Sequence, residues 1–511
     1  MAQTDVLLIA LYDLYAYPVC ILHSVLENAG FNVKTVFFKK LNRNNTITPP
    51  SQDEIDQLIQ FIHQVSPQLV GISVRSLLFQ IAAQLTQEIK RSTKALTIWG
   101  GCHPSIRPEE CLEWADMVCV GEGEEAVVAL CANLKNNTPI DNIKNLWVKT
   151  SNRIIKNELR PLTQDLDTIP LPSLSVKDKF YIHKNGVTPA PEFEKLKTDA
   201  ILAYSTLTSR GCPFHCTYCC NTVFKKMYDH DEGKFIRRRS VENVMKELVL
   251  AKKMFPQVNM FFFHDDVFTL NFDWLKDFCR EYKKHFKIKF SCYCHPGATK
   301  ENVIKLLSET GLGGVIMGIQ SGSEAFRRKY YNRHNGNDKI VECAAILKKY
   351  NISCHFDIIV DNPLESDDDK REGLDLLLRL PKPFHLHTTT LAHFPETDLT
   401  QLLLKKKIIS EKDIEGQNIS SYEKWSKVLD LSRSNENLFW DNLYYLSTKK
   451  ISPSLILKLS QSKFLKKHPR ILTHILRLTS TDIFSIKNYS KLELFRRSTL
   501  LFLKRSLRKV V

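Results

Sequence analysis

The chain has 511 residues, 43% of them apolar and 25% charged, with a formal net charge of +16. That length exceeds what one hydrophobic core serves and predicts two to three domains, while the balanced composition excludes a disordered or fibrous chain. No apolar run reaches the roughly eighteen residues that cross a bilayer. Residues 449–511 hold sixteen Lys and Arg against Asp482 and Glu493 alone, so this tail carries +14 of the charge and the rest is nearly neutral.

From the N-terminus, Met-Ala-Gln-Thr-Asp runs straight into the apolar stretch Val6 to Ala10, which predicts no secretory signal. Strand-like and helix-like segments then alternate: a helix ending near Gly30, a strand Val33 to Phe38, a helix through Ile55 to Val65 and a strand Leu69 to Val74. A helix to about Lys90, a strand Leu96 to Trp99, a helical segment from Pro108 and a strand Met117 to Val120 complete the series. Short buried strands alternating with helices predict an α/β, doubly wound parallel sheet over residues 1–150, and such sheets bind ligands at the carboxyl ends of their strands. Two of those ends are rich in glycine, Gly100-Gly101-Cys102-His103-Pro104 and Gly121-Glu122-Gly123-Glu124. Glycine there allows a close backbone approach to a ligand, or serves an ordinary turn.

A linker is expected over residues 151–198, after which the pattern restarts. Strands read as Ala203 to Ser209, Met260 to Phe263, Ile288 to Cys292, Val315 to Met317, Cys354 to Val360 and His385 to Thr390. Helices fall between them at about 240–254, 272–285, 299–310, 336–350 and 367–379. Six βα units over residues 199–400 predict a partial (β/α)6 TIM-type barrel with its active site at the carboxyl ends of the strands. After the first of these strands comes Gly211-Cys212-Pro213-Phe214-His215-Cys216-Thr217-Tyr218-Cys219. Three thiolates at this spacing can hold three irons of a 4Fe-4S cluster and leave the fourth open to a small molecule. A zinc site would need a further ligand pair, and a disulfide framework fits poorly with 14 cysteines scattered singly in a chain without a leader.

The triplet, with an aromatic residue before its last cysteine, resembles the signature of the radical S-adenosylmethionine (radical SAM) enzymes. In that family the open iron binds the amino and carboxylate groups of S-adenosylmethionine, and an electron from the cluster yields methionine and a 5′-deoxyadenosyl radical. The resemblance implies Cys212, Cys216 and Cys219 as cluster ligands and Tyr218 as a cofactor contact, with Cys220 an extra thiol. His264-Asp265-Asp266-Val267-Phe268 resembles the family's Asp-Asp-x-Phe motif, which implies that Asp265 faces the cofactor's amino group while Asp266 orients the loop. A pair of carboxylates capping a helix is the plainer alternative. Gly318-Ile319-Gln320-Ser321-Gly322-Ser323 is similar to the family's Gly-Ile-Glu-Ser-Gly-Ser segment, which implies cofactor contacts from Gln320 and Ser321, with an amide replacing the usual carboxylate. Asp361-Asn362-Pro363-Leu364-Glu365 departs from the family's Gly-x-Pro-Gly-Glu-Thr turn. Tyr293, His295, His355, His387 and His393 lie at or near strand ends, as substrate contacts or as hydrogen-bonded structural groups.

In order and spacing, Gly-Gly-x-His-Pro, Pro108-Glu109, Asp116 and Gly-Glu-Gly-Glu resemble the cobalamin-binding domain of one large radical SAM subfamily. This implies a cobalamin, with Gly100, Gly101, His103, Gly121, Glu122 and Gly123 along its nucleotide tail. The Asp-x-His-x-x-Gly motif that supplies a cobalt-binding histidine is replaced by Asp13-Leu14-Tyr15-Ala16-Tyr17-Pro18. The lower face of the cobalt is then covered by a weaker group at the end of the third strand, Arg75 or Ser76, although Arg75 can equally be a solvated charge.

Residues 401–511 are expected to be helical. Leu492, Phe495, Leu500, Leu503 and Leu507 among arginines and lysines form a basic amphipathic pattern. It suits an anionic membrane surface or a helix packed on the barrel with a solvated face. Nucleic acid is the weakest reading, because no binding module accompanies the charge. Together these features predict a cytoplasmic enzyme, peripheral to the inner face of the membrane if the tail meets lipid. It would use a 4Fe-4S cluster, S-adenosylmethionine and cobalamin to methylate an unactivated carbon of a small-molecule or lipid substrate, with flavodoxin or ferredoxin as electron donor. A radical oxidative cyclase or rearrangement enzyme, and a non-catalytic cobalamin or redox sensor, are the alternatives.

Overall fold

The computed structural model describes residues 4–13, 16–40, 47–184, 186–189, 203–230, 233–417 and 433–479. Five apolar stretches form the parallel heart of the first sheet: β1 (Val6–Leu11), β2 (Val33–Phe38), β3 (Leu69–Ser73), β4 (Leu96–Gly100) and β5 (Met117–Cys119). Their spatial order is β2-β1-β3-β4-β5, a doubly wound order whose switch point lies between β1 and β3. Every residue of β1 is buried. Val6, Leu8 and Ala10 pack with helices 17–28 and 124–135 on one face, and Leu7, Ile9 and Leu11 with helices 52–65 and 79–92 on the other. Burial on both faces is why these strands read as continuous apolar runs instead of alternating ones.

The sheet is wider than the sequence pattern indicates. The strands β6 (Leu146–Lys149) and β7 (Ile154–Lys156) add antiparallel beyond β5, while β8 (Lys179–Ile182) joins β2 in parallel and pairs antiparallel with β9 (Val187–Pro189). Residues 151–198, expected as a connection, therefore also supply sheet edges. The outermost of them, β7 and β9, are three residues each and largely exposed, so they lack the hydrophobic signal of the central ones, and β8, though mostly buried, is only four residues long and begins with a lysine.

The second sheet is wholly parallel, in the order β10 (Ala203–Thr206), β13 (Met260–Phe263), β14 (Lys289–Cys294), β15 (Leu312–Gln320), β16 (Ser353–Val360) and β17 (His385–Thr390). The short pair β11 (Ser209–Arg210) and β12 (Arg237–Arg238) stands apart from it. Phe261, Phe263, Phe290, Cys292, Val315, Met317, Phe356 and Ile358 form the core with the surrounding helices. The alternate residues, including Phe262, His264, Tyr293, Gln320, His355, Asp357 and His387, are less buried and face the barrel interior.

Helices at Asn435–Ser447, Pro453–Ser460, Lys463–Lys467 and Arg470–Thr479 close over the barrel's last strands. Trp440 is buried and donates to Asp367 at 2.8 Å, and the Tyr444 hydroxyl donates to Lys370 O at 2.8 Å. Much of the expected tail is thus packed on the barrel, and the Leu492 to Leu507 pattern lies outside the described residues. Among the described residues no helix is long and apolar enough to cross a membrane.

Candidate functional site

The cysteine loop leaves β11 through Gly211, whose φ of +90° and whose Cβ position, 2.4 Å from Phe235 O, admit no side chain. Cys216 is 8% exposed. Cys212, Cys216 and Cys219 all lie within electrostatic reach of Lys225, and Cys212 and Cys219 within reach of Asp266. Burial pushes the Cys212 thiol up to about 11, whereas a hydrogen bond with Cys220 holds Cys219 below the ordinary thiol range. Cys220 is thereby a neighbour that tunes Cys219. Among the described residues no three such side chains converge on one point as ligands of a single ion do. A cubane cluster asks for a different arrangement, one thiolate on each of three irons. Three thiols sharing one basic neighbour in a half-closed loop fit it.

Arg333, which the sequence analysis missed, spans this loop and the end of β15. It donates to Gly318 O at 2.7 Å and to the Tyr218 hydroxyl at 3.3 Å, and its Nη1 lies 3.7 Å from Cys216 Sγ. Tyr218 also packs edge-on to Tyr331 with ring centroids 4.9 Å apart. Gln320 ends β15 with φ +73°, and its side chain folds back toward Gly318. Ser321 is buried and donates to Glu365 Oε1 at 2.6 Å. Burial raises that half-buried carboxyl to about 7, against the hydrogen bond from Ser321. Gly322 is glycine for packing: a Cβ there would lie 2.1 Å from Gly373 Cα.

The carboxylate pair is the reverse of the expectation. Asp265 is fully buried and accepts from Thr208 N–H at 3.1 Å, Thr208 Oγ1 at 2.6 Å and Ser209 Oγ at 2.5 Å. Its oxygens are consumed in anchoring the strand that leads to the cysteine loop. Asp266, raised above the usual carboxylate range by burial against a hydrogen bond from Asn221, is the one beside the thiols. The departure at Asp361 also has a structural reason. Its carboxylate accepts from Arg433 at 2.6 Å and Thr390 at 2.8 Å, which ties the strand end to the C-terminal helices.

A cavity of about 390 Å³ opens between the two sheets. It begins at Gly100, Gly101, Gly121 and Gly123 and descends along the sheet past Leu8 of β1 and Gly71 of β3, with Ile21 and Val127 from the facing helices. It thus occupies the switch point, where doubly wound sheets take ligands. Gly101 has φ +108° and a Cβ there would lie 2.9 Å from Val74 O; a Cβ on Gly71 would lie 3.2 Å from Leu8. A narrow cleft cleared of side chains fits a long nucleotide tail. His103 does not line it: the ring is fully buried, bonds Ser76 Oγ at 3.0 Å and packs at a tilt against Phe79, and burial lowers it to about 4. Its role is to brace the loop from behind. Ser76, named as an alternative lower-face group, is occupied by that bond. Arg75 is exposed at the end of β3, within electrostatic reach of Asp13 and Cys102.

Glu122 lines the cavity, but its carboxylate belongs to an ion network. Arg210 Nη1 lies 2.8 Å and Arg237 Nη1 2.9 Å from it, and Thr163 N–H donates to it at 3.1 Å. Burial opposes ionisation, yet the two guanidinium groups outweigh it and hold Glu122 below the usual carboxylate range. In the barrel, His387 Nδ1 lies 3.3 Å from Asp357, a contact that raises the imidazole. His355 stacks on His385 at 4.4 Å, and Tyr293 sits 5.8 Å from His264. His295 is structural: it stacks on Phe214 at 3.6 Å and accepts from Gly297 N–H at 3.1 Å. His393 lies beyond β17, where its carbonyl accepts from Glu415 N–H at 2.9 Å.

Residues 4–131 match the B12 binding domain family and residues 206–377 the radical SAM superfamily. The chain is 24% identical over 361 residues to an uncharacterized methyltransferase of Pyrococcus horikoshii, covering 69% of this chain and 72% of the relative. It is 22% identical over 407 residues to the bacteriochlorophyllide d C-8(2)-methyltransferase of Chlorobaculum tepidum, covering 76% and 80%. The fold resembles that of the radical S-adenosylmethionine methyltransferase TsrM from Kitasatospora setae, solved with cobalamin and a [4Fe-4S] cluster, with a TM-score of 0.62, 15% identity and coverage of 93% and 99%. A glycine-walled cleft at a switch point and a three-thiol loop meeting across one interface agree with both matches: the chain belongs to the radical SAM superfamily, in the family that carries an N-terminal cobalamin-binding domain.

Proposed function

We propose that this protein is a cobalamin-dependent radical SAM methyltransferase acting on an unactivated carbon. The observation that carries the reading is the meeting of the cysteine loop and the cobalamin cleft, whose walls share Ser209 and Arg210. When bound, the cluster supplies the electron that makes a 5′-deoxyadenosyl radical from S-adenosylmethionine, and cobalamin supplies a transferable methyl group. The chain's residues do the rest. Cys212, Cys216 and Cys219 would hold the cluster, with Asp266, Gln320 and the Arg333–Tyr218 pair as the polar groups nearby that would receive S-adenosylmethionine. Gly100, Gly101, Gly121 and Gly123 would admit the nucleotide tail, and Arg75, exposed at the end of β3, would be the group offered to the lower face of the cobalt.

The barrel interior would hold the substrate. Asp357 accepts from His387 Nδ1 and so leaves the other ring nitrogen to hydrogen-bond a substrate group, while Phe262 and Tyr293 offer aromatic surface. Such a lining favours a small molecule with polar groups over a bare hydrocarbon. A lipid with a polar head remains compatible, with the basic tail as its membrane contact. The cluster requires a reducing compartment, which we take to be the cytoplasm, and an external donor such as flavodoxin or ferredoxin.

The test is to incubate the anaerobically reconstituted protein with methyl-labelled S-adenosylmethionine, reductant and fractionated small molecules from the source cells. A labelled product accompanied by both 5′-deoxyadenosine and S-adenosylhomocysteine supports the reading. 5′-Deoxyadenosine with an unlabelled, cyclised or rearranged product would replace it with the cyclase reading.

A further inference from the structure

Among the described residues, two groups of ion pairs cross between the domains. In one, Arg107 pairs with Glu396 at 2.8 Å outside the cavity lining, on the segment whose Leu399 N–H donates to Thr217 O of the cysteine loop at 3.0 Å, so it touches that loop without reaching the cobalamin cleft. In the other, Arg210 forks between two carboxylates of the glycine-rich loop after β5. Its Nη1 lies 2.8 Å from Glu122 and its Nη2 2.5 Å from Glu124. Only Gly211 separates Arg210 from Cys212, and Phe235 O lies so close to Gly211 that a Cβ there would sit 2.4 Å from it. Arg210 also pairs with Arg237 across β11 and β12, and Arg237 grips Glu122 and Thr163 O at 2.9 and 3.0 Å. Thus one short covalent path, held at its Arg210 end by these ion pairs, connects the wall of the cobalamin cleft to the first cluster thiol. A planar fork with two carboxylates fixes direction as well as distance, which a lysine's single charge does not.

We infer that Arg210 is a positioning residue that registers the two cofactors, so that filling the cluster site tightens the cobalamin site and the reverse. This rests on the family membership and on both cofactor sites proposed above. Reciprocity is required thermodynamically: any gain in cobalamin affinity on cluster assembly equals the gain in cluster stability on cobalamin binding.

The experiment measures the dissociation constant of hydroxocobalamin by anaerobic titration of the full chain, before and after reconstitution with iron and sulfide. It compares the wild type with Arg210→Gln, Arg210→Lys and Arg107→Gln. The wild type and Arg107→Gln should bind cobalamin about tenfold more tightly once the cluster is present. Arg210→Gln should bind each cofactor with that ratio collapsed toward one, and Arg210→Lys, which keeps the charge but not the fork, should fall between. Equal affinities with and without the cluster in the wild type overturn the inference, as does an undiminished ratio in Arg210→Gln or an equal loss in Arg107→Gln. Should Arg210→Gln not fold, Arg210→Lys decides: an undiminished ratio overturns the inference and a reduced one supports it. Wild-type protein that carries a full cluster but binds no cobalamin at all would instead contradict the proposed function.

Discussion

Replacing Asp265 by alanine separates its anchoring role from a cofactor-binding one. The carboxylate is sealed from solvent and accepts from three donors: the Thr208 amide, the Thr208 hydroxyl and the Ser209 hydroxyl. Stranding a buried donor costs about 1–3 kcal/mol. The hydroxyls can rotate toward other acceptors and the amide has no such freedom, so the loss should be about 2–5 kcal/mol for Asp265→Ala. Asp265→Asn keeps one accepting oxygen and should cost about 1–2 kcal/mol. Because Ser209 lies three residues before Cys212, the cysteine loop loses its footing. The assay combines thermal melting of the full chain, iron content after anaerobic reconstitution, and S-adenosylmethionine affinity. Asp265→Ala should melt earlier and retain little iron, whereas Asp266→Asn should keep iron and bind S-adenosylmethionine less well. Asp265→Ala with full iron, unchanged melting and weakened S-adenosylmethionine binding would refute the anchoring role.

Three further outcomes are expected. Gly101→Ala, forced to φ +108° with its Cβ 2.9 Å from Val74 O, should cost about 1–3 kcal/mol and weaken cobalamin binding about tenfold; unchanged affinity in an absorbance titration would contradict the cleft assignment. Arg333→Met removes a cation beside Cys216 Sγ and should lower the cluster's reduction potential in an EPR-monitored redox titration, so an unchanged potential argues against that contact. Glu365 has a folded-state value of about 7 against 4.5, so between these pH values the native chain keeps a proton that the unfolded chain has lost. Stability therefore falls as pH rises through this window, by up to about 3 kcal/mol less a discount for partial exposure. Glu365→Gln should melt later than wild type at pH 8 and nearly with it below pH 4.5; a gap independent of pH would contradict the assignment.

What was legible in the sequence depended on how local its cause was. β2, β13 and β17 begin and end where the pattern placed them, because a run of buried apolar or β-branched residues between turns needs no distant partner to be recognised. The thiol triplet and the glycine-rich strand ends were equally plain, since each function is carried by adjacent residues. The contributions of β7 and β9 were not, because exposed edge strands depend on the strand they join, nor was that of β8, a four-residue strand defined by its pairing with β2. Asp265 was given the wrong partner because nothing local reveals that Thr208 and Ser209, some 56 residues earlier, meet it. Arg333, Arg433 and the Arg210–Glu122 network are invisible for the same reason. Each is an unremarkable charge until the barrel closes and brings Cys216, Asp361 or the loop after β5 beside it.

The most direct test of the central claim is anaerobic S-adenosylmethionine cleavage by protein reconstituted with iron, sulfide and cobalamin, with Cys216→Ala as the comparison. The wild type should form 5′-deoxyadenosine under reduction and the variant should form none. Wild-type protein that holds a complete 4Fe-4S cluster and cobalamin, is given reductant and the fractionated small molecules, and still leaves S-adenosylmethionine intact would contradict the account and favour a sensor.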